Sequence, residues 1–243
     1  MEAGVYEVEA RMEATHWWFA GRRKLFSRII HDLRLDAHAP VLDVGTSTGT
    51  NLRMLSELGF KQVIGLDMSE DAIRFCAAKG LGQVKLGDVT RMPFPDESFS
   101  LVLATDIIEH VDDDGAAVAE LARVLRTNGT AIITVPAFQS LWGFQDEVAH
   151  HKRRYRMKAL LQRVRSGGLE PLDQFHFNYI LFAPIWTARK LMKWVKPSIK
   201  SEGELNSPLV NRMLSGVFEV DIATASWLRP PFGVSILVLA QKS

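Results

Sequence analysis

The chain has 243 residues, 47% of them hydrophobic and 23% charged, with a net charge of +1. That length can bury a sizeable core in one α/β domain with additions, and the near-neutral charge excludes a global pull towards nucleic acid. The single cysteine, Cys76, excludes an internal disulfide and a cysteine-based metal site, and reads as a buried apolar residue on a helix in a protein of a reducing compartment.

Met1 to Met12 is acidic and lacks an apolar centre, so it reads as neither a signal peptide nor a span, and no apolar run reaches the about 20 residues needed to cross a bilayer. A cytoplasmic location is expected. Residues 13–38 have helical spacing, with His16-Trp17-Trp18-Phe19 and Gly21-Arg22-Arg23-Lys24 ahead of Leu25, Phe26, Ile29, Ile30 and Leu33. Two adjacent tryptophans do not fit one narrow helix face, so at least one is expected to pack away from the core. The segment is either a helix laid across a sheet or a lid over a ligand.

Val41-Leu42-Asp43-Val44 reads as a buried strand, and Gly45-Thr46-Ser47-Thr48-Gly49 as a tight turn that exposes backbone N–H groups before a helix around 49–58. A second strand, around 62–66, leads into Asp67. About twenty residues after the first strand is where α/β folds place a carboxylate that accepts both hydroxyls of an adenosine ribose. A dinucleotide fingerprint needs glycine at three positions that here hold Gly45, Ser47 and Thr50, so it fails at two of them. Asp43 would also sit badly beside phosphate, whereas it suits an ammonium group.

A helix around 69–79, strands at Val84-Lys85-Leu86 and Phe99 to Ala104, a helix over 113–126, a turn at Asn128-Gly129 and a strand from Ala131 to Val135 follow. Such alternation implies a mostly parallel sheet with helices on both faces. The stretch from Asp43 to Gly49 resembles the first motif of class I S-adenosylmethionine methyltransferases, an acidic residue followed by three alternate glycines, with Ser47 in place of the middle one. Gly87-Asp88-Val89, Pro93 to Phe99, and Leu125 to Thr130 resemble later segments of that family in the same order.

The resemblance covers roughly 13–176 and 234–241. It implies an α/β, Rossmann-like three-layer sandwich whose seven-stranded, mostly parallel sheet ends in an antiparallel strand. The chain is then one methyltransferase domain, 1–243: a helical lid at 13–38, a cofactor core at 39–176, a helical insertion or cap at 177–232 and the last strand at 233–243. The implied cofactor is S-adenosylmethionine (SAM), leaving as S-adenosylhomocysteine. The implied contacts are Asp43, Gly45, Thr46, Ser47 and Gly49 at the turn, Asp67 and Met68 at the ribose, Asp88 and the Val89 N–H at the adenine, and Thr105 after the fourth strand. From the lid, Trp18 would face the sulfonium by cation–π attraction and Arg23 would meet the methionine carboxylate.

Residues after the fourth and fifth strands face the substrate in this fold. They include Asp106, Glu109 and His110, then Asp146, His150 and His151. Methyl transfer needs alignment and, for a weakly acidic acceptor, a base; His151 is the candidate base, with Asp106 as its companion. Asp106, Glu109, His110 and a later histidine also look like the metal site of polyprenyl-phenol and small-RNA 2′-O-methyltransferases, although helix capping is the preferred reading. In the basic run His150 to Arg156, Tyr155 offers a phenol and the arginines suit a phosphate or carboxylate. Within the insertion, Arg189, Lys190, Lys193 and Lys196 alternate with Leu191, Met192, Trp194 and Val195, so 179–196 can cap the site or touch a membrane interface. Ser201 to Ser207 reads as a loop and Leu209 to Leu228 as a second apolar helix.

The expected function is SAM-dependent methyl transfer to oxygen of a small or lipid-like acceptor. The alternative is an inactive SAM-binding scaffold or sensor, and no nucleic-acid partner is expected.

Overall fold

The computed structural model describes residues 12, 13, 15–81, 83–195 and 207–243, without the side chains of 192–195. The acidic opening, the loop from Ser201 to Asn206, and the side chains of Lys193, Trp194 and Lys196 fall outside the described residues. Strands β1 (Val41–Val44), β2 (Val63–Asp67), β3 (Val84–Leu86), β4 (Phe99–Thr105), β5 (Leu125–Pro136), β6 (Leu169–Phe177) and β7 (Ser235–Lys242) form one sheet in the order β3-β2-β1-β4-β5-β7-β6. Pairing is parallel from β3 through β5, and β7 runs antiparallel to both β5 and β6. The final antiparallel strand is thus as the resemblance implied. The order reverses between β1 and β4, which opens a crevice at the carboxyl ends of the strands.

Alternate residues of each central strand serve different layers. Leu42, Val44, Val102, Ala104, Ile133 and Val238 pack beneath α4 (Asp114–Val124) and α6 (Met157–Ser166). Val41, Leu101, Leu103, Ile132 and Leu237 pack against α1 (Trp17–Asp32), α2 (Thr50–Glu57) and α8 (Pro208–Leu228). Completing the helices are α3 (Glu70–Ala78), α5 (Phe144–Val148) and α7 (Phe182–Val195). Side chains of His16, Ser69, Asp113 and Ser207 accept from free N–H groups at the starts of α1, α3, α4 and α8. Cys76 is buried on α3, and burial lifts its thiol pKa to about 11.

Two local expectations are corrected. The turn at Asn128-Gly129 does not break the chain before the fifth strand. Phe99 pairs with Leu125 and Leu101 with Thr130, so residues 126–129 loop out as a bulge within β5, with Asn128 at φ 63°. The adjacent tryptophans do share a neighbour, because Phe218 of α8 wedges between them with ring centroids 5.2 Å from Trp17 and 5.3 Å from Trp18. Gly21 makes room for it: a Cβ there would lie 2.2 Å from Phe218 Cδ1. With Leu25, Phe26 and Ile30 buried, α1 is a layer helix laid over the sheet, and its first turns reach the strand ends.

Candidate active site

The turn after β1 folds around three left-handed residues, Gly45, Ser47 and Gly49. Gly45 has φ +73°, and a Cβ there would come within 2.6 Å of Ile107 Cδ1. Ser47 has φ 48°, a region that suits glycine and strains an L side chain. The family motif's middle glycine therefore has a local cause. Ser47→Gly is expected to relieve about 0.5–1 kcal/mol net of glycine's backbone entropy; a small rise in Tm checks it.

Asp67 organises the turn. Its Oδ2 accepts from the Ser47 N–H at 2.8 Å and its Oδ1 from the Ser69 N–H at 2.9 Å, leaving further lone pairs for hydroxyl donors. Met68 beside it is 76% exposed. Asp88 accepts through Oδ1 from the backbone and hydroxyl of Thr90, and Val89 is buried. Asn51, overlooked in the sequence, donates to both Asp43 Oδ1 and Thr105 Oγ1 and so ties β1 to β4. Thr46 is buried and donates to the Asp43 carbonyl. Gly49, at φ +82°, begins α2.

Three acids crowd this turn. Asp43 is wholly buried, and burial together with Asp67 and Glu13 pushes its carboxyl up to about 7 despite the hydrogen bond from Asn51. Its Oδ2 has no hydrogen-bond partner. Glu13, also missed in the sequence, accepts from the hydroxyls of Thr48 and Thr50. Arg23 lies near Glu13 and Glu57; burial lowers its pKa, and its Nη1 is a buried donor with no acceptor.

Arg22, the neighbour of the residue chosen from sequence, reaches the far side of the crevice. It pairs with Asp106 at 2.6 Å and donates to Thr134 Oγ1 at 3.3 Å. Its guanidinium sits 5.3 Å from the ring centroids of both Trp18 and Phe26. The cation over Trp18 is thus Arg22, and the indole also stacks on Phe177 at 5.9 Å.

Beyond Asp106, α5 and the segment after it build a second group. His151 Nδ1 lies 2.8 Å from Asp146 Oδ1, and the buried Asp146 also accepts from the Gly143 N–H and twice from Arg154. Arg189 of α7 approaches Asp146 at 3.8 Å and donates to the Leu141 carbonyl. Burial works to raise the Asp146 pKa, but the hydrogen bonds from His151 and Arg154 outweigh it and hold the carboxyl at about 2. An ionised Asp146 can only accept, so His151 Nδ1 carries the proton and Nε2 is the open nitrogen.

His110 meets the His151 ring edge-on at 4.7 Å; burial, then His151, lowers its pKa to about 4. Glu109 is buried with neither oxygen hydrogen-bonded, and burial followed by Asp106 raises its pKa well above the usual range. The ligand atoms of Glu109, His110 and His151 lie within 4.8 Å of one another. Asp106, expected in that group, is absent from it and held by Arg22.

The basic run is not a set of anion ligands. Tyr155 is buried and donates to Asp114 at 2.8 Å, and burial with that bond pushes its pKa up. Arg153 binds the Val111 and Asp112 carbonyls, and Arg154 is spent on Asp146 and the Ala137 carbonyl.

Comparison with known proteins agrees with this geometry. A family model described as a methyltransferase domain matches residues 42–133. A Mycolicibacterium smegmatis protein described as a probable S-adenosylmethionine-dependent methyltransferase is 26% identical over 161 residues, 65% of this chain and 61% of its own length. The uncharacterized methyltransferase YcgJ of Bacillus subtilis is 32% identical over 164 residues, 65% of this chain and 60% of its own. The match therefore spans about three fifths of either relative. Among solved structures, the cyclase SpnF superposes with a TM-score of 0.56 at 19% identity, covering 86% of this chain and 76% of that one. That likeness is one of fold.

Proposed function

We propose, on the premise that this chain belongs to the class I S-adenosylmethionine-dependent methyltransferases, that it is an enzyme moving the sulfonium methyl group to an oxygen of a small or amphiphilic, lipid-like acceptor. The observation that carries the reading is a mismatch around the first turn: among the described residues, Asp43 Oδ2 is a buried acceptor without a donor, and Arg23 Nη1, near Glu13, a buried donor without an acceptor. The amino-acid end of SAM answers both, its carboxylate meeting Arg23 and its ammonium Asp43. Asp67 with Met68 then takes the ribose, and Asp88 with Val89 the adenine.

SAM, when bound, would supply a sulfonium methyl group for in-line displacement by the acceptor oxygen and would leave as S-adenosylhomocysteine. The acceptor proton passes to His151 Nε2, with Asp146 fixing the ring. Asp106, neutralised by Arg22, is the positioning residue at the end of β4. Glu109, His110 and His151 also fit a divalent cation, since Glu109 has two unpartnered oxygens in a compact N,N,O set; such a cation would supply a Lewis acid at the acceptor oxygen. The amphiphilic class rests on α7, which brings Arg189 to this group while Ile180, Trp186 and Leu191 at and along it stay exposed.

Calorimetric titration with SAM, S-adenosylhomocysteine and NAD tests the cofactor half. The first two should bind and NAD should not, with Arg23→Gln weakening both by about tenfold or more. NAD binding, or no binding of SAM, overturns it. His151→Ala should keep SAM affinity and lower turnover on hydroxyl acceptors by roughly 10²–10⁴; SAM binding without turnover on any acceptor favours the scaffold.

A further inference from the structure

The outer face of α8 has no partner among the described residues. Leu209, Met213, Val220 and Trp227 recur at steps of four and seven, which places them on one side of the helix. They are 71%, 66%, 57% and 79% exposed. Gly216 and Ala223, also exposed, fall between them and keep the face low. Val210 and Leu228, 42% and 50% exposed, widen it on one side. From Leu209 to Trp227 the stripe runs about 27 Å. The opposite side of the same helix is firmly mounted: Phe218, Ile222 and Ala225 are buried, and Asp221 accepts from the N–H groups of Asn178 and Ile180.

We propose that this face docks the protein on an anionic lipid surface, with the indole of Trp227 and the side chains of Met213 and Val220 at the headgroup boundary. Charge decides the occupant. On the flank shared with α1, Lys24, Arg28 and Arg212 are exposed with two acids, Glu219, which already holds Lys24, and Asp32, one turn beyond Arg28. Three cations to two anions leave this flank net positive, and beside a long apolar stripe ending in an exposed indole that charge complements a negatively charged interface. The contact is a docking and not a span, because no described helix is long and apolar enough to cross a membrane. It adds α8 to the expected contact at 179–196 as a second surface, one whose described apolar face is the longer. The proposal rests on the reading of an amphiphilic acceptor and supplies the surface from which such a molecule is reached.

Vesicle co-sedimentation of the full chain tests it, using phosphatidylcholine alone and phosphatidylcholine with about one third phosphatidylglycerol. Binding to the anionic vesicles alone is expected, weakened at least tenfold by Met213→Glu and by Trp227→Ser, and severalfold by Arg212→Glu or raised salt. SAM affinity, measured on the same samples, should not change. No binding to anionic vesicles, or binding unaffected by these variants, overturns the proposal. So does a concentration-dependent dimer, seen by light scattering, that Met213→Glu abolishes while vesicles are ignored. If vesicles bind but SAM does not, the methyltransferase reading fails and the docking surface stands.

Discussion

Asp43→Asn should bind SAM about 10- to 100-fold more weakly than the parent chain and yet melt at a higher temperature without ligand. The wholly buried carboxyl titrates near 7 in the folded protein against 3.8 in the usual case. The sign follows directly. The folded state holds its proton more tightly than the unfolded chain, so stability present below pH 3.8 is lost as pH rises towards 7. The cost reaches up to about 4 kcal/mol at pH 8, and a neutral amide removes most of it, which for a chain this long amounts to about 2–4 °C per kcal/mol. The amide cannot offer the ammonium a charged acceptor, and the lost bond accounts for the weaker binding. SAM affinity of the parent chain should also fall as pH drops below about 7, because binding must then expel a proton. Melting curves and titrations at pH 6 and pH 8 check these effects, and equal affinity in parent and variant would put the amino-acid end of the cofactor elsewhere.

Asp146→Ala should be the most damaging single change, lowering Tm by roughly 6–20 °C and, under the proposed chemistry, removing the turnover assigned to His151. The buried carboxylate answers Arg154, which is 3% exposed, together with His151 and Arg189. Removing one partner of such a group leaves buried charge uncompensated at about 3–5 kcal/mol. Here the folded carboxyl lies low, at about 2, so the stability it contributes is present above about pH 4 and lost as pH falls towards 2. Asp146→Asn should therefore flatten the acid limb of the stability profile, read by denaturant midpoints from pH 6 down to pH 3. A profile parallel to the parent's would show that Asp146 is not the acceptor described.

The parallel sheet and the cofactor turn were legible because both are local. Short apolar strand runs, glycines at the turn, and Asp43 and Asp67 near the ends of successive strands all lie close in sequence. Arg22 and Arg23 were not separable, since one helical step of about 100° sends one to Asp106 and the other towards Glu13. The run from His150 to Arg156 read as a candidate base, a phenol and arginines for an anion. Its actual partners, Asp114 and Asp146, meet it only through tertiary folding, and no spacing rule signals that Arg154 is buried. The paired tryptophans misled for the same reason: Phe218, two hundred residues away, supplies the surface both can touch. Asn51 and Glu13 had no signal beyond being polar residues near a glycine turn.

The contact between Gly21 and Phe218 has a bearing on how the chain can be shortened. Gly21 is the residue immediately before Arg22, so the seat of the Phe218 ring sets where the guanidinium leaves α1 to hold Asp106. The last third of the chain thus serves as a jig for a residue of the first tenth. A truncation that stops before α8 would keep β1 to β5 and the turn after β1, but would remove β7, the strand that joins β6 to the sheet, along with the seat of Arg22.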